Sequence, residues 1–178
     1  ELGWELHIPM QNVAELYDSL MDTGTEFGIE NFGTYAMNSL RMEKAYKGWG
    51  SELTTEITPN EAGLERFVDF SKSFIGREAT LSRKLLGINT KLVYLEVDAN
   101  DTDCLGNEPV LNGEQIIGVT TSGAYGHTVR KSLAFAYVHP QYADTGTNFE
   151  IRILGQNCSA TVLKEAAYDP QNLRLKDV

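Results

Sequence analysis

Val110-Leu111-Asn112-Gly113-Glu114-Gln115-Ile116-Ile117-Gly118-Val119-Thr120 is two short apolar runs parted by an Asn-Gly pair. Branched aliphatic residues favour extended chain, and Asn-Gly tolerates the positive φ that a two-residue hairpin turn demands. The stretch therefore reads as a tight hairpin feeding a strand over 116–120. The same character extends on both sides. Residues 91–97, 131–138 and 149–154 alternate at period two, and Gly155-Gln156-Asn157 turns the chain into a further strand over 159–163. Five or six short strands with hairpin turns and no helix between them make a small antiparallel barrel or sandwich.

Upstream of Gly87 the pattern changes. Val13, Leu16, Tyr17 and Leu20 recur at helical spacing, in a helix closed by Gly24. A second helix is expected over 34–46, breaking at Gly48-Trp49-Gly50. Thr58-Pro59-Asn60-Glu61 is a capping box with Pro at the first helical position. A strand-like run over 64–70 follows, then a helix over 77–86. Residues 2–8 alternate like a strand that Pro9 ends. A strand there needs a neighbour, and the chain, which opens on Glu1 rather than Met, reads as cut from something longer. The expectation is an α+β chain with a boundary near residue 88: mixed helix and strand over 1–88, then strands alone over 89–178.

Composition narrows the partners. Fifteen Lys and Arg stand against twenty-five Asp and Glu, a net charge of -10. Such a surface repels phosphate backbones and anionic lipid, so no nucleic acid and no membrane is expected. No stretch approaches the roughly 18 apolar residues of a membrane span, and no signal peptide is legible. Cys104 and Cys158 are isolated and read as two free thiols in a reducing compartment. His7, His127 and His139 share no ligand spacing, and the acidic run over 98–103 lacks the Gly and the closing Glu of a calcium loop.

One carboxylate stands out. Glu43 follows Leu40 by three residues and Ala36 by seven, so it shares their face of the second helix. Burying that face costs several kcal/mol unless the carboxylate is paired or hydrogen-bonded. One reading is a salt bridge to Arg41, Lys44 or a distant Lys. The other is a carboxylate held to receive the side-by-side N–H donors of a planar heterocycle such as a pterin or guanine. Spacing alone leaves both open. Tyr35, Tyr46 and Trp49 are aromatics nearby, and Arg41, Lys44, Lys47, Lys72 and Arg77 are a local basic concentration that an anionic ligand tail would want.

Asn38-Ser39-Leu40-Arg41-Met42-Glu43-Lys44-Ala45-Tyr46-Lys47-Gly48-Trp49-Gly50 resembles the signature helix of the glycine-cleavage T-protein superfamily. Thr58-Pro59-Asn60-Glu61-Ala62-Gly63-Leu64 and Phe74-Ile75-Gly76-Arg77-Glu78-Ala79 follow in that family's order. Thr121-Ser122-Gly123-Ala124-Tyr125-Gly126-His127 and Lys131-Ser132-Leu133-Ala134-Phe135-Ala136-Tyr137-Val138 are similar to its carboxy-terminal barrel, and the closing Tyr168-Asp169-Pro170 fits too. Glu43-Lys44-Ala45-Tyr46 followed by Trp49-Gly50 is closer to the dimethylglycine and sarcosine dehydrogenase branch than to the T-proteins proper.

The resemblance implies a half folate-binding domain followed by a β-barrel. It implies tetrahydrofolate as the ligand, with an amino-terminal flavin (FAD) domain absent from this chain. In that branch the flavin domain oxidises an N-methyl group, and the folate part captures the one-carbon unit. Carried over by position, it makes Glu43 the pterin-edge carboxylate and Trp49 an aromatic near the folate. Lys72 stands where T-proteins place an Arg, and Tyr35 is a ring neighbour. The family's catalytic aspartate is expected before Glu1, so no residue here is assigned as catalytic. A fragment of a T-protein aminomethyltransferase and a non-enzymatic regulatory relative are the alternatives. Bacterial cytoplasm or mitochondrial matrix is the expected compartment.

Overall fold

A computed structural model describes residues 3–176 of the chain. Six strands close into an antiparallel barrel: β1 (Lys91–Val97), β2 (Pro109–Asn112), β3 (Gln115–Gly126), β4 (Lys131–Val138), β5 (Asn148–Ile153) and β6 (Gln156–Val162). The order around the barrel is β1-β4-β3-β2-β5-β6, and β6 pairs back onto β1 with Leu95 opposite Val162. Closure leaves no unpaired edge. Among the two arrangements open to the sequence, the fold is the barrel.

Period-two alternation sorts the two faces. Val93, Leu95, Val97, Ala134, Ala136 and Val138 point inward with Val110, Ile117 and Ile151. Small alanines suit a narrow interior. Leu92, Tyr94, Leu133, Phe135 and Tyr137 point outward and pack with Met42 in a second cluster. β1 and β4 are thus buried on both faces, because a helix covers their outer side.

That helix is α2 (Thr34–Glu43), which among the described residues is the only one of the three amino-terminal helices to bury side chains. It follows α1 (Val13–Gly24), and α3 (Arg77–Leu86) comes after an irregular segment. A short α4 (Leu173–Lys176) lies near the carboxy terminus. α2 ends three residues before the expected position. Ala45 adopts φ 53°, and the amides of Ala45 and Tyr46 donate to Met42 O and Arg41 O at 3.0 and 2.9 Å. This is a Schellman ending with alanine where glycine is usual.

Three other expectations are corrected. Residues 3–9 form no strand, and residues 1 and 2 lie outside the described residues. Alternation without a neighbour to pair with does not make a sheet. The run over 64–70 is a 3-10 turn at Glu65–Phe67, not a strand. The capping box forms, with Thr58 N and Oγ1 donating to Glu61 Oε2 at 2.8 and 2.6 Å. It closes only a turn there rather than starting a regular helix.

The hairpin stands with a shifted turn. Gly113 and Glu114 are the loop residues, and positive φ falls on Gly113 at 59° rather than on Asn112. That is the type II′ requirement of glycine at the first central position. β3 then runs on to Gly126, beyond the strand expected to end at 120.

Candidate functional site

α2 is fastened to the barrel by polar contacts along its length. Asn38 Nδ2 donates to Gly123 O at 3.1 Å, and Ser39 Oγ donates to Tyr125 O at 2.6 Å. Tyr94 reaches up from β1 to donate to Met42 O at 2.7 Å. Burial pushes the Tyr94 phenol well above its ordinary pKa, so it remains a donor at neutral pH. The last residue of the helix is Glu43, 2% exposed.

Glu43 Oε1 accepts two backbone amides from the loop after β3, Thr128 N at 2.6 Å and Val129 N at 3.2 Å. Gly126 makes this approach possible, since a Cβ there would stand 2.9 Å from Glu43 Cγ. The neighbouring cations face other partners. Arg41 donates to Glu52 Oε2 at 3.0 Å, and Lys44 Nζ donates to Asp169 O and Asn172 Oδ1, both at 2.7 Å.

Glu52 has no exposed surface and was not singled out by the sequence. Its Oε2 accepts the Gly48 amide at 2.7 Å besides Arg41. Its Oε1 accepts the hydroxyls of Thr121, at 2.7 Å, and of Ser122. Neighbouring residues of a strand normally point to opposite faces. Here the register shifts between Thr120 and Ser122, and the bulge turns both hydroxyls to the same carboxylate. Tyr137 OH donates to Glu52 O at 2.8 Å, which anchors the loop after α2 on β4. Glu52 therefore has its charge-assisted bonds satisfied within the protein and serves the fold.

Glu43 differs because it lines a cavity of about 340 Å³. Phe32, Met37, Leu40, Tyr46 and Tyr168 give that cavity apolar and aromatic walls, with Arg41, Lys44 and Thr128 completing the lining. The size falls in the range of about 300–1,000 Å³ of small-molecule sites, and the character is theirs: mainly apolar, with a few converging polar groups.

Of the four residues named from the sequence, Glu43 lines this cavity and the other three do not. Tyr35 is 93% exposed and Trp49 78% exposed. Lys72 is an exposed partner of Asp69 at 3.5 Å. Within the basic concentration, Arg41, Lys44, Lys72 and Arg77 each pair with a carboxylate of this chain. Lys47 is half-buried, and burial, then Arg66, lowers its pKa.

The fold defines the class: an α+β segment carrying a closed six-stranded antiparallel barrel, as in the aminomethyltransferases. A crystal structure of the glycine cleavage system aminomethyltransferase T from Bartonella henselae superposes with a TM-score of 0.82 at 24% identity, covering 92% of this chain and 45% of that one. Residues 1–72 match the model of the GCVT N-terminal domain, and residues 90–169 that of the glycine cleavage T-protein C-terminal barrel domain. The chain belongs to the glycine cleavage T-protein family. It is 45% identical over 167 residues to human mitochondrial dimethylglycine dehydrogenase, covering 93% of this chain and 19% of that protein. It is 35% identical over 169 residues to an aminomethyltransferase of Thermoanaerobacter pseudethanolicus, covering 94% and 46%. The chain thus spans about a fifth of the first relative's length and about half of the second's.

Proposed function

We propose that this chain is the tetrahydrofolate-binding carboxy-terminal portion of a dimethylglycine or sarcosine dehydrogenase-like enzyme, with Glu43 as the residue that reads the pterin edge. The observation that carries the reading is a buried carboxylate at the wall of an aromatic-lined cavity. Oε1 is occupied by the amides of Thr128 and Val129, so the reading gives Oε2 to an N–H of the ligand. The amide pair holds the carboxylate in place before the ligand arrives, which limits the ordering cost of binding. Folate supplies the nitrogens that take up the one-carbon unit, while the protein binds and orients its ring. Tyr35, Trp49 and Lys72 do not line the cavity and receive no contact in this reading.

Residues 1–88 would be the folate-binding part and 89–178 the barrel. The further domains, including one holding FAD, would belong to the longer parent protein. The reading places that protein in the mitochondrial matrix or the bacterial cytoplasm, and no described helix is long and apolar enough to cross a membrane. Membership of an aminomethyltransferase is the second reading. The higher identity to dimethylglycine dehydrogenase, 45% against 35%, favours the first.

Calorimetric titration of 5-formyltetrahydrofolate into the chain and into Glu43→Gln tests the assignment. Glutamine keeps the shape but presents a donor where the ligand needs an acceptor, so the variant is expected to lose at least tenfold in affinity, about 1.4 kcal/mol. Equal binding by both would remove Glu43 from the site. No binding by the folded parent chain would overturn the folate reading for residues 1–178.

A further inference from the structure

We propose that the carboxy-terminal segment 168–174 is a specificity-determining wall of the Glu43 cavity, with Tyr168 facing the ligand ring and Lys44–Asp169 as the clasp that positions it. The inference rests on the folate reading and adds residues which that reading does not use.

The segment crosses from the far end of the chain to the tip of α2. Tyr168 N donates to Glu43 O at 3.0 Å, so the residue after the barrel is tied to the carboxylate residue itself. The Tyr168 ring then lines the cavity that Glu43 lines. Next along the chain, Asp169 is held from both sides. Its carbonyl accepts Lys44 Nζ at 2.7 Å and its carboxylate lies 3.4 Å from the same ammonium. The other face of the carboxylate accepts Leu173 N at 2.8 Å and Arg174 N at 3.3 Å, which starts α4. Burial opposes the charge on Asp169, yet these amides and Lys44 outweigh it and hold the acid below the ordinary carboxylate range.

Two details make this a built feature and not a trailing end. Asp169 and Asn172 both take positive φ, 39° and 55°, conformations that Asx residues tolerate better than other side chains. Asn172 Oδ1 uses its turn to accept Lys44 at 2.7 Å. The ring of Tyr168 lies with Lys44 Nζ and Arg174 Cζ each 5.8 Å from its centroid. Each cation within about 6 Å of the centroid is attracted to the ring and favours that placement. A flat heterocycle read at its edge by Glu43 gains from an aromatic surface beside it, and Tyr168 is an aromatic residue of the cavity wall that these contacts favour in place.

The test is titration of 5-formyltetrahydrofolate into the full chain and four variants, with far-UV circular dichroism confirming the fold of each. Tyr168→Leu keeps bulk and removes the ring face, and about tenfold weaker binding is expected. Tyr168→Phe keeps the face and should bind within about twofold of the parent. Asp169→Asn should weaken binding severalfold. Because Asp169 acts through Tyr168, it should cause no further loss in a Tyr168→Leu background. Parent-like binding by Tyr168→Leu, while Glu43→Gln has lost it, would overturn the wall and leave the folate reading standing. Additive losses in the double variant would overturn the clasp. A folded parent chain that takes up no folate would overturn both readings together.

Discussion

In β4 every residue over 132–138 is buried, whereas α1 and α3 bury none of theirs. Both regions carry regular apolar patterns. Alternation in β4 is answered on one side by the barrel interior and on the other by Met42 of α2. The helical stripe of α1, with Val13, Tyr17 and Leu20, and the Leu85-Leu86 end of α3 face outward among the described residues. A hydrophobic period reports that a face is suited to cover. It does not report what covers it, and the two halves of this chain show both outcomes.

The comparison is sharpest in stability. Phe135→Ala removes a ring packed between β4 and α2 and should cost about 3–5 kcal/mol in urea unfolding, the usual range for a buried Phe. Leu85→Ala, at an exposed position, should change stability by no more than about 0.5 kcal/mol. Similar losses from both would mean that α3 is packed in solution. Glu52→Gln is expected to cost about 3 kcal/mol, because Arg41 and two hydroxyls would face a neutral amide in a buried site. A smaller loss, near that of an exposed ion pair, would show that the loop after α2 contributes little to holding the helix.

Exchange and reactivity divide the regions on a finer scale. Amides of β1 and β4 should exchange only on global unfolding, and those of α1 and α3 far sooner by local opening. Protection of α1 equal to that of β4 would break the comparison. Cys104 is buried against the barrel interior, and burial, then the charges of Glu108 and Asp103, pushes its thiol up to about 12. Iodoacetamide at neutral pH should therefore spare Cys104 in the native protein and modify the more accessible Cys158. Modification of Cys104 at the unfolded rate would show that the barrel opens.

The limits of sequence reading follow the same divide. β1, β4 and α3 were legible to the residue, and of these only β1 and β4 have periods answered by burial among the described residues. The strand expected over 2–8 failed because alternation needs a partner strand, and the described residues offer it none. The second half of β3, Thr121–Gly126, was missed for the opposite reason. Ser122, Gly123, Ala124 and Gly126 carry little strand preference and are extended there by pairing with β4 along Ser122↔Phe135 to Gly126↔Lys131. Gly123 is required by a close approach, since a Cβ would meet Cys104 O at 2.6 Å.

At the site, helical spacing put Glu43 on the face of Leu40 and Ala36, but both of those are exposed and Glu43 is buried with Ser39 and Met42 instead. Its partners could not be read, because they are main-chain amides 85 and 86 residues away that carry no side-chain signature. Glu52 gave no signal either, standing in a loop with partners brought together only by the bulge in β3.

The most direct test of the account is a nuclear magnetic resonance titration of 5-formyltetrahydrofolate into the ¹⁵N-labelled chain. Thr128 and Val129 donate to the carboxylate that is proposed to receive the pterin edge. Their amide resonances, and that of Tyr168, should therefore move most and saturate together, and should stay still in Glu43→Gln. Saturable shifts centred elsewhere on the barrel, with Thr128 and Val129 unmoved, would contradict the assignment of the site.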